Sequence, residues 1–129
     1  MAHVTVISEF KFAQQIASGH HRLTADEPIA LGGSDSGASP YELLLGSLGA
    51  CTSITLRMYA SRKGWELGKI TVGLRYTQGD DEKGHIDRRL SFSKPLTAEQ
   101  THRLLEIAGK TPVTRTLMSG VQIDTTIVQ

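Results

Sequence analysis

Cys51 is the residue whose type best suits covalent chemistry, because it is the only cysteine in the 129-residue sequence. A cysteine thiolate is a nucleophile that is oxidised reversibly, whereas a buried free thiol behaves as a small apolar side chain. Cys51 lies about three turns past the expected start of a helix, where the helix dipole has little effect. Any group that ionises the thiol must therefore come from outside its own turn. The residue type alone leaves a reactive and a structural role open.

Glu42 is the nearest carboxylate on the N-terminal side of Cys51. Nine residues separate the two, about 13 Å along a helix axis and about half a turn around it. Within one straight helix their side chains cannot touch, so a catalytic role for Glu42 requires contact through another segment or a partner subunit. Its structural interpretation is the N3 position of a capping box that begins at Ser39.

The histidines and glycines do not match a metal or phosphate site. His20 and His21 would point to opposite faces of a strand, and the remaining histidines are scattered along the chain (His3, His85, His102). The glycine-rich residues 32–37 lack the Lys-Ser/Thr ending of a phosphate-binding loop, which favours a turn or hinge. We therefore expect no metal and no other cofactor.

The composition is that of an ordinary globular protein, with 39% apolar residues, 21% charged residues and a net charge of +1. This near-neutral charge gives no reason to expect nucleic acid or a membrane as a partner. The N-terminal residues lack the pattern of a signal peptide, and the apolar stretch at residues 41–50 is shorter than the roughly 20 residues of a membrane span. A single cysteine suits a reducing compartment. We expect one cytoplasmic domain over residues 1–129.

A long helix must position Cys51. Ser39, Pro40 and Glu42 occupy N-cap, N1 and N3 of this helix, and nothing stops it before about Lys63. Its apolar positions lie nearly all round the cylinder (Leu43, Leu44, Leu45, Leu48, Cys51, Ile54, Leu56, Met58, Tyr59). Such a helix is predicted to be buried on most sides, at the centre of the domain or in an oligomer interface. Gly46 and Gly49 suggest the close approach of another backbone.

The other elements predict an α+β fold with an antiparallel sheet. Period-2 alternation and turn residues predict six strands, at residues 4–7, 11–16, 20–23, 70–76, 86–92 and 121–127. The fourth and fifth form a hairpin around a turn at residues 79–84, and the sixth closes the chain. Two shorter helices are predicted, one from the capping box at Thr97 to Gly109 and one starting at Thr111 and Pro112.

Two segments resemble the OsmC/Ohr family. Residues 23–65 contain SPYELLLGSLGAC, which is similar to the helix that carries the family's first, peroxidatic cysteine, and Cys51 occupies that position. Residues 110–117, KTPVTRTL, are similar to the motif of the second cysteine. The resemblance implies the OsmC-like fold, an intertwined homodimer with long central helices packed inside wrapped sheets. It also implies that active members reduce organic hydroperoxides through a thiolate, a sulfenic acid and a disulfide, and that a dithiol regenerates the enzyme.

The sequence departs from the family pattern at three places. Thr111 stands where the resolving cysteine would be, so no intramolecular disulfide can form. Tyr41 occupies the position of the family's glutamate, ten residues before the reactive cysteine. Residues 28–31 offer no arginine where active members place a catalytic one. Any peroxidase activity must therefore follow a one-cysteine route with an external thiol as reductant.

Thr111 and Arg115 are the remaining candidates for the site. Thr111 is most simply an N-cap. A position that forms a disulfide in relatives must also come near Cys51, so we expect the Thr111 hydroxyl to reach the sulfur in at least one conformation. Arg115 lies one turn beyond Thr111 on the same face. It is the candidate cation that would favour the thiolate, and its alternative is a surface arginine.

Three functions are compatible with these residues. The first is a thiol peroxidase in which Cys51 attacks an organic hydroperoxide, with Glu42, Thr111 and Arg115 as candidate site residues. The second is a non-catalytic protein that binds a small apolar ligand at the dimer interface, with Cys51 and Tyr41 as wall residues. The third is a purely structural or interaction dimer.

Overall fold

The computed structural model describes residues 1–81 and 83–128. In chain order its strands are β1 (Thr5–Phe10), β2 (Ala13–Ser18), β3 (His21–Ala25), β4 (Ile70–Gln78) and β5 (Gly84–Phe92). Its α-helices are α1 (Pro40–Lys63), α2 (Ala98–Ala108) and α3 (Pro112–Ser119), and a short 3-10 helix spans Ile29–Leu31. The predicted α+β class with antiparallel pairing is confirmed, in the form of two separate antiparallel sheets.

By their contacts the residues form two compact units, Met1–Gly46 and Ser47–Gln129, with the division inside α1. The first unit contains the three-stranded sheet β1-β2-β3. Gly19 turns the chain between β2 and β3 at φ +57°, as the sequence predicts. Lys11 does not start β2, because it lies in the β1–β2 turn at φ +53°. The prediction of one domain over residues 1–129 stays a prediction.

The second unit contains the β4–β5 hairpin, whose pairing runs from Ile70 and Phe92 to Gln78 and Gly84. The predicted period-2 alternation is confirmed: four β4 side chains are half-buried and those between them are exposed (Ile70, Val72, Leu74, Tyr76). Strand β5 begins two residues earlier than predicted. The turn predicted at residues 79–84 includes Glu82, which lies outside the described residues.

Helix α1 begins with the predicted capping box. The Ser39 backbone N–H donates to Glu42 Oε1 at 2.9 Å, and the Glu42 N–H donates to Ser39 Oγ at 3.3 Å. The helix ends before Gly64, which adopts φ +70°. Two capping residues therefore fix the start of α1, and a left-handed glycine follows its end.

One face of α1 builds the core of the second unit. Leu56 and Ala60 pack there with Leu67 and Leu104, surrounded by partly buried apolar side chains (Tyr59, Trp65, Ile70, Leu90, Phe92, Leu96, Ile107). Ile54 and Met58, on another face, remain 54% and 59% exposed. Burial on most sides is therefore wrong for the chain by itself. Among the described residues of this chain, a Cβ on Gly49 would meet the side chain of Leu74 and one on Gly46 would meet nothing within 4 Å, so the close approach of another backbone is not found within one chain.

Helix α1 is also long and apolar enough to meet the criterion for a membrane span. Among the described residues it is the one helix to do so, with 24 residues and a mean hydropathy of 1.2 over its best window. The sequence-based expectation that the apolar stretch is too short is therefore wrong about length. Core helices of globular proteins meet the same criterion, so length and hydropathy alone do not separate the two cases.

Helices α2 and α3 start where their capping residues predict. Thr97 and Gln100 form a reciprocal capping box at the start of α2. Thr111 is the N-cap of α3, and Pro112 follows at its first position. Gly109 and Gly120 are the C-caps of the two helices. Local sequence therefore sets both boundaries of each helix.

The predicted closing strand is absent, since none of residues 120–128 has strand structure. Its apolar side chains are highly exposed (Val121, Ile123, Ile127, Val128). The alternation at 121–127 identifies a segment suited to a strand, but a strand needs a partner edge. No described edge of this chain pairs with it.

Candidate functional site

Cys51 is partly exposed on α1. Ile54 and Met58 follow at i+3 and i+7, a spacing that places them on the same face of the helix. Both are exposed. No hydrogen bond to the Cys51 sulfur is present among residues 1–81 and 83–128. The sulfur therefore lies on an apolar helix face that its own unit leaves partly open.

Thr52, the next residue, belongs to the buried side of α1. It is 0% exposed, and its hydroxyl donates to the Leu48 carbonyl oxygen at 2.7 Å. The same Oγ1 accepts a hydrogen bond from Arg88 Nη1 at 2.9 Å. Two consecutive residues of α1 therefore lie in different surroundings: Cys51 is on a partly open face, and Thr52 belongs to a buried polar network.

Arg88 is the centre of this network. Besides Thr52, its Nη1 donates to Thr114 Oγ1 at 2.9 Å, and its Nη2 donates to the Ala108 carbonyl oxygen at 2.8 Å. Burial lowers the pKa of Arg88 from its ordinary value, although a guanidinium remains charged at any physiological pH. Arg88 therefore joins α1, the end of α2 and α3 through one cation.

Sequence reasoning missed Arg88, although a signal for it exists. On β5 it lies in period-2 register with Ile86 and Leu90, and all three are half-buried, whereas Asp87 and Arg89 between them are exposed. A charged residue in the inward register of a half-buried strand identifies a buried polar contact. The alternation of β5 thus indicates that Arg88 faces inward, but it does not specify which groups Arg88 contacts.

Thr111 is fully buried, at 0% exposure, and its predicted N-cap role is confirmed. Its Oγ1 accepts from the Thr114 backbone N–H at 3.3 Å and lies 2.6 Å from Thr114 Oγ1. Through Thr114 it is connected to Arg88. The structure records no hydrogen bond between Thr111 and Cys51, so the expected approach of the two stays a prediction.

Arg115 is exposed, and only its backbone is engaged by the described residues. Its N–H donates to the Thr111 carbonyl oxygen at 3.0 Å, and its carbonyl accepts from Ser119 Oγ at 2.8 Å. Its guanidinium makes no ion pair or hydrogen bond in that part of the chain. The structure instead bonds Arg88 to Thr52, the residue that follows Cys51, and the role predicted for Arg115 stays untested.

Glu42 is exposed and serves the capping box of α1. The backbone N–H of Ser39, and then its hydroxyl, hold the pKa of Glu42 below the ordinary value. Tyr41, at the family's glutamate position, is 57% exposed. The capping interpretation of Glu42 is confirmed, and a catalytic role for it is not tested.

Asp26 is a second residue that sequence reasoning missed. It is 2% exposed, and its carboxylate accepts from the Ser36 hydroxyl at 2.6 Å and from the backbone N–H groups of Glu27, Ser34 and Ser36. The side-chain and backbone hydrogen bonds from Ser36 contribute most to lowering its pKa to about 2. Asp26 therefore organises the glycine-rich loop that precedes α1, in agreement with a turn rather than a phosphate site.

Over residues 1–81 and 83–128, no three histidine, cysteine or carboxylate side chains are grouped as a metal site requires. The chemistry open to the site is thus that of a single partly exposed thiol, on the helix whose next residue, Thr52, is bonded to the half-buried cation Arg88.

Comparison with known proteins assigns the chain to a family. The family model described as OsmC-like protein matches residues 33–126, and the chain belongs to this family. No curated protein matches the sequence.

Solved structures with the same fold include proteins from three bacteria. The OsmC like protein of Mycoplasma pneumoniae is 17% identical, with a TM-score of 0.79 and coverage of 92% of this chain and 87% of that one. The organic hydroperoxide resistance protein OsmC of Legionella pneumophila is 16% identical, with a TM-score of 0.65 and coverage of 91% and 88%. OhrB of Bacillus subtilis, also an organic hydroperoxide resistance protein, is 22% identical, with a TM-score of 0.62 and coverage of 90% and 89%. At these identities the similarity shows the fold.

Proposed function

We propose that this chain is a thiol peroxidase that reduces organic hydroperoxides through Cys51 by a one-cysteine route. The observation that supports the proposal is the position of the thiol. Cys51 lies partly exposed on an α1 face where Ile54 and Met58 are also open to solvent. A small apolar hydroperoxide can approach a sulfur in such surroundings. Two of the three solved structures described above are named organic hydroperoxide resistance proteins.

In the proposed reaction the Cys51 thiolate attacks the outer peroxide oxygen. The S–O bond forms as the O–O bond breaks, the leaving alkoxide takes a proton to become an alcohol, and Cys51 becomes a sulfenic acid. An external thiol then attacks the sulfenic sulfur and water leaves, which gives a mixed disulfide. A second external thiol displaces Cys51 as a thiolate and is itself oxidised to the disulfide. Thr111 cannot replace the external thiol, because a hydroxyl forms no disulfide.

The proposed enzyme is an intertwined homodimer, in which a second copy covers the apolar side chains of residues 120–128 that one chain leaves exposed. In this proposal the α1 face of Cys51 stays open to the hydroperoxide. Exposed apolar surface of this extent is typical of an interaction site. Glu42 and Arg115 remain candidates for assisting the thiolate in this assembly. The external thiols place the proposed activity in the reducing cytoplasm.

The test measures consumption of cumene hydroperoxide in the presence of a dithiol. We expect Cys51→Ser to lose turnover to the level of the protein-free control. Ser53→Ala, two residues away on α1, should keep it, because it leaves the sulfur in place. A mass increase of one oxygen on Cys51 after peroxide treatment would support the sulfenic acid. Equal rates for the wild type and Cys51→Ser would contradict the proposal.

The second candidate is a non-catalytic protein that binds a small apolar ligand at the dimer interface. The lack of a hydrogen bond to the sulfur in the described chain, together with the neighbouring Ile54 and Met58, favours it. In that case hydroperoxide is not consumed, and an apolar fluorescent probe binds in a manner that Met58→Glu weakens. Arg57→Gln, at its exposed neighbour on α1, is the matched control, because it lowers the net charge by the same single unit.

A further inference from the structure

The guanidinium of Arg88 is held in place, but its charge is not neutralised by any described carboxylate. The ion pairs of residues 1–81 and 83–128 join Arg89 to Asp87, and Glu106 to His102 and Arg103. Within the described part of the chain, Arg88 is bonded only to two hydroxyls and one carbonyl oxygen. Arginine that is withdrawn from water is normally paired with an anion.

The three acceptors leave one edge of the guanidinium open. Nη1 donates to both Thr52 and Thr114, which uses both of its hydrogens. The Thr114 hydroxyl, which accepts from Nη1, and the Ala108 carbonyl oxygen, which accepts from Nη2, are 3.3 Å apart. This short separation suits two acceptors that lie side by side at the end of the guanidinium formed by Nη1 and Nη2. The second Nη2 hydrogen and Nε–H therefore remain, and they lie parallel along the side of the planar group.

The Nε end of this edge is accessible to solvent. Every fully buried side-chain nitrogen and oxygen among the described residues has a hydrogen-bond partner. Nε of Arg88 has none among those residues, so it retains some accessible surface, and Arg88 as a whole is half-buried. The side edge of a guanidinium presents two parallel N–H groups that match the two oxygens of a carboxylate. Fixing the guanidinium in advance reduces the entropy lost when such a ligand binds.

We propose that the Nε–Nη2 edge of Arg88 binds a carboxylate, supplied by a small organic acid or by a side chain of a second copy of this chain. The site does not depend on peroxidase turnover. Thr52, Thr114 and Ala108 hold the cation, and the carboxylate supplies the missing negative charge.

The test follows the Nε–H resonance of Arg88 by NMR in the wild-type protein during titration with sodium acetate, with sodium chloride keeping the ionic strength constant. A saturable downfield shift of this resonance, with Arg89 unchanged, supports a free carboxylate as ligand. A resonance that is already downfield without acetate, and moves upfield on dilution of the protein, supports a carboxylate of the second copy. A resonance that responds to neither overturns the proposal.

Thermal unfolding gives an independent readout of the free-carboxylate case. Saturating acetate should raise the Tm of the wild type by about 3 °C relative to chloride. Arg88→Lys keeps the charge but lacks the side edge, so this rise should disappear. If Arg88→Lys fails to fold, the Nε–H resonance of Arg88 can still be assigned in the wild type through its bonds to the backbone of β5. The wild-type titration then tests the proposed carboxylate site by itself. Hydroperoxide consumption enters neither measurement, so failure of this proposal is distinguishable from failure of the proposed peroxidase.

Discussion

Arg88 Nη1 lies 2.9 Å from the hydroxyl of Thr52, so a fixed positive charge is held beside the residue that follows Cys51. The same Nη1 lies 2.9 Å from Thr114 Oγ1, which is itself 2.6 Å from Thr111 Oγ1. One hydrogen-bonded path therefore connects the helix of the cysteine with Thr111, the position that the sequence resemblance assigns to the family's second cysteine. This path makes position 111 the most informative site for substitution.

Thr111→Cys should create an oxidisable pair with Cys51. The family position implies that the two residues approach each other, and bridged residues have Cα atoms about 4.4–6.8 Å apart. We expect mild oxidation to produce an intramolecular disulfide, detected by mass spectrometry as the loss of two hydrogens and of both free thiols. Thr116→Cys, on the exposed side of α3, should form none. If Thr111→Cys keeps both thiols after oxidation, the expected proximity is wrong.

Thr111→Ala should destabilise the fold by roughly 2 kcal/mol. The change removes the N-cap acceptor of α3 and deprives the buried Thr114 hydroxyl of a partner. Thr116→Ala is the matched control, since Thr116 is exposed on the same helix, and it should change stability by less than about 0.5 kcal/mol. Urea unfolding measures both. Equal effects of the two substitutions would contradict the capping role.

Stability should fall in acid as Asp26 is protonated. Its pKa in the folded chain is about 2, below an ordinary value of 3.8. A lowered folded-state pKa contributes stability that is complete above the unfolded pKa and is lost as pH falls toward the folded one. The wild-type urea midpoint should therefore decrease between about pH 4 and pH 2, and Asp26→Asn should lose this component and be less stable at pH 7. Asp80→Asn, in an exposed turn, should preserve the wild-type profile.

Gly33→Ala should destabilise the loop that Asp26 organises. A Cβ at Gly33 would overlap the Glu27 carbonyl oxygen, which is backbone and cannot move aside cheaply. We expect a cost of at least about 2 kcal/mol, since relief requires the backbone to shift. Gly73→Ala is the control, because nothing lies within 4 Å of its added methyl group. It should be neutral or stabilising by up to about 1 kcal/mol. A neutral Gly33→Ala would show that the loop adopts another conformation.

The sequence was sufficient to locate the helices and the hairpin. Ser39, Thr97 and Thr111 each mark a helix start through an interaction that is complete within three residues. The alternation of apolar and polar residues at 70–76 is similarly a local signal, because it reflects only that one face of the strand is half-buried and the other is exposed. Such local signals do not need the rest of the fold.

The remaining features depend on distant contacts. The segment at residues 121–127 has the alternation of a strand, but pairing requires an edge that no described strand supplies. Arg88 finds acceptors 20, 26 and 36 residues away, which no local pattern specifies. Asp26 resembles a solvated loop acid until Ser36, ten residues later, folds back on it. The sequence therefore singled out Cys51 as the candidate reactive residue but not the buried contacts of Arg88 and Asp26.

The distances in sequence between Arg88 and its acceptors have a consequence for folding. Each of the three bonds requires β5 to meet a segment distant in sequence, so loop-closure entropy is lost before that bond is gained. Conversely, fraying of α3 removes the Thr114 acceptor and leaves the half-buried guanidinium of Arg88 with one partner fewer. Amide hydrogen exchange in α3 should consequently be slow for so short a helix, because its opening breaks the bond between Thr114 and Arg88 as well as its own hydrogen bonds.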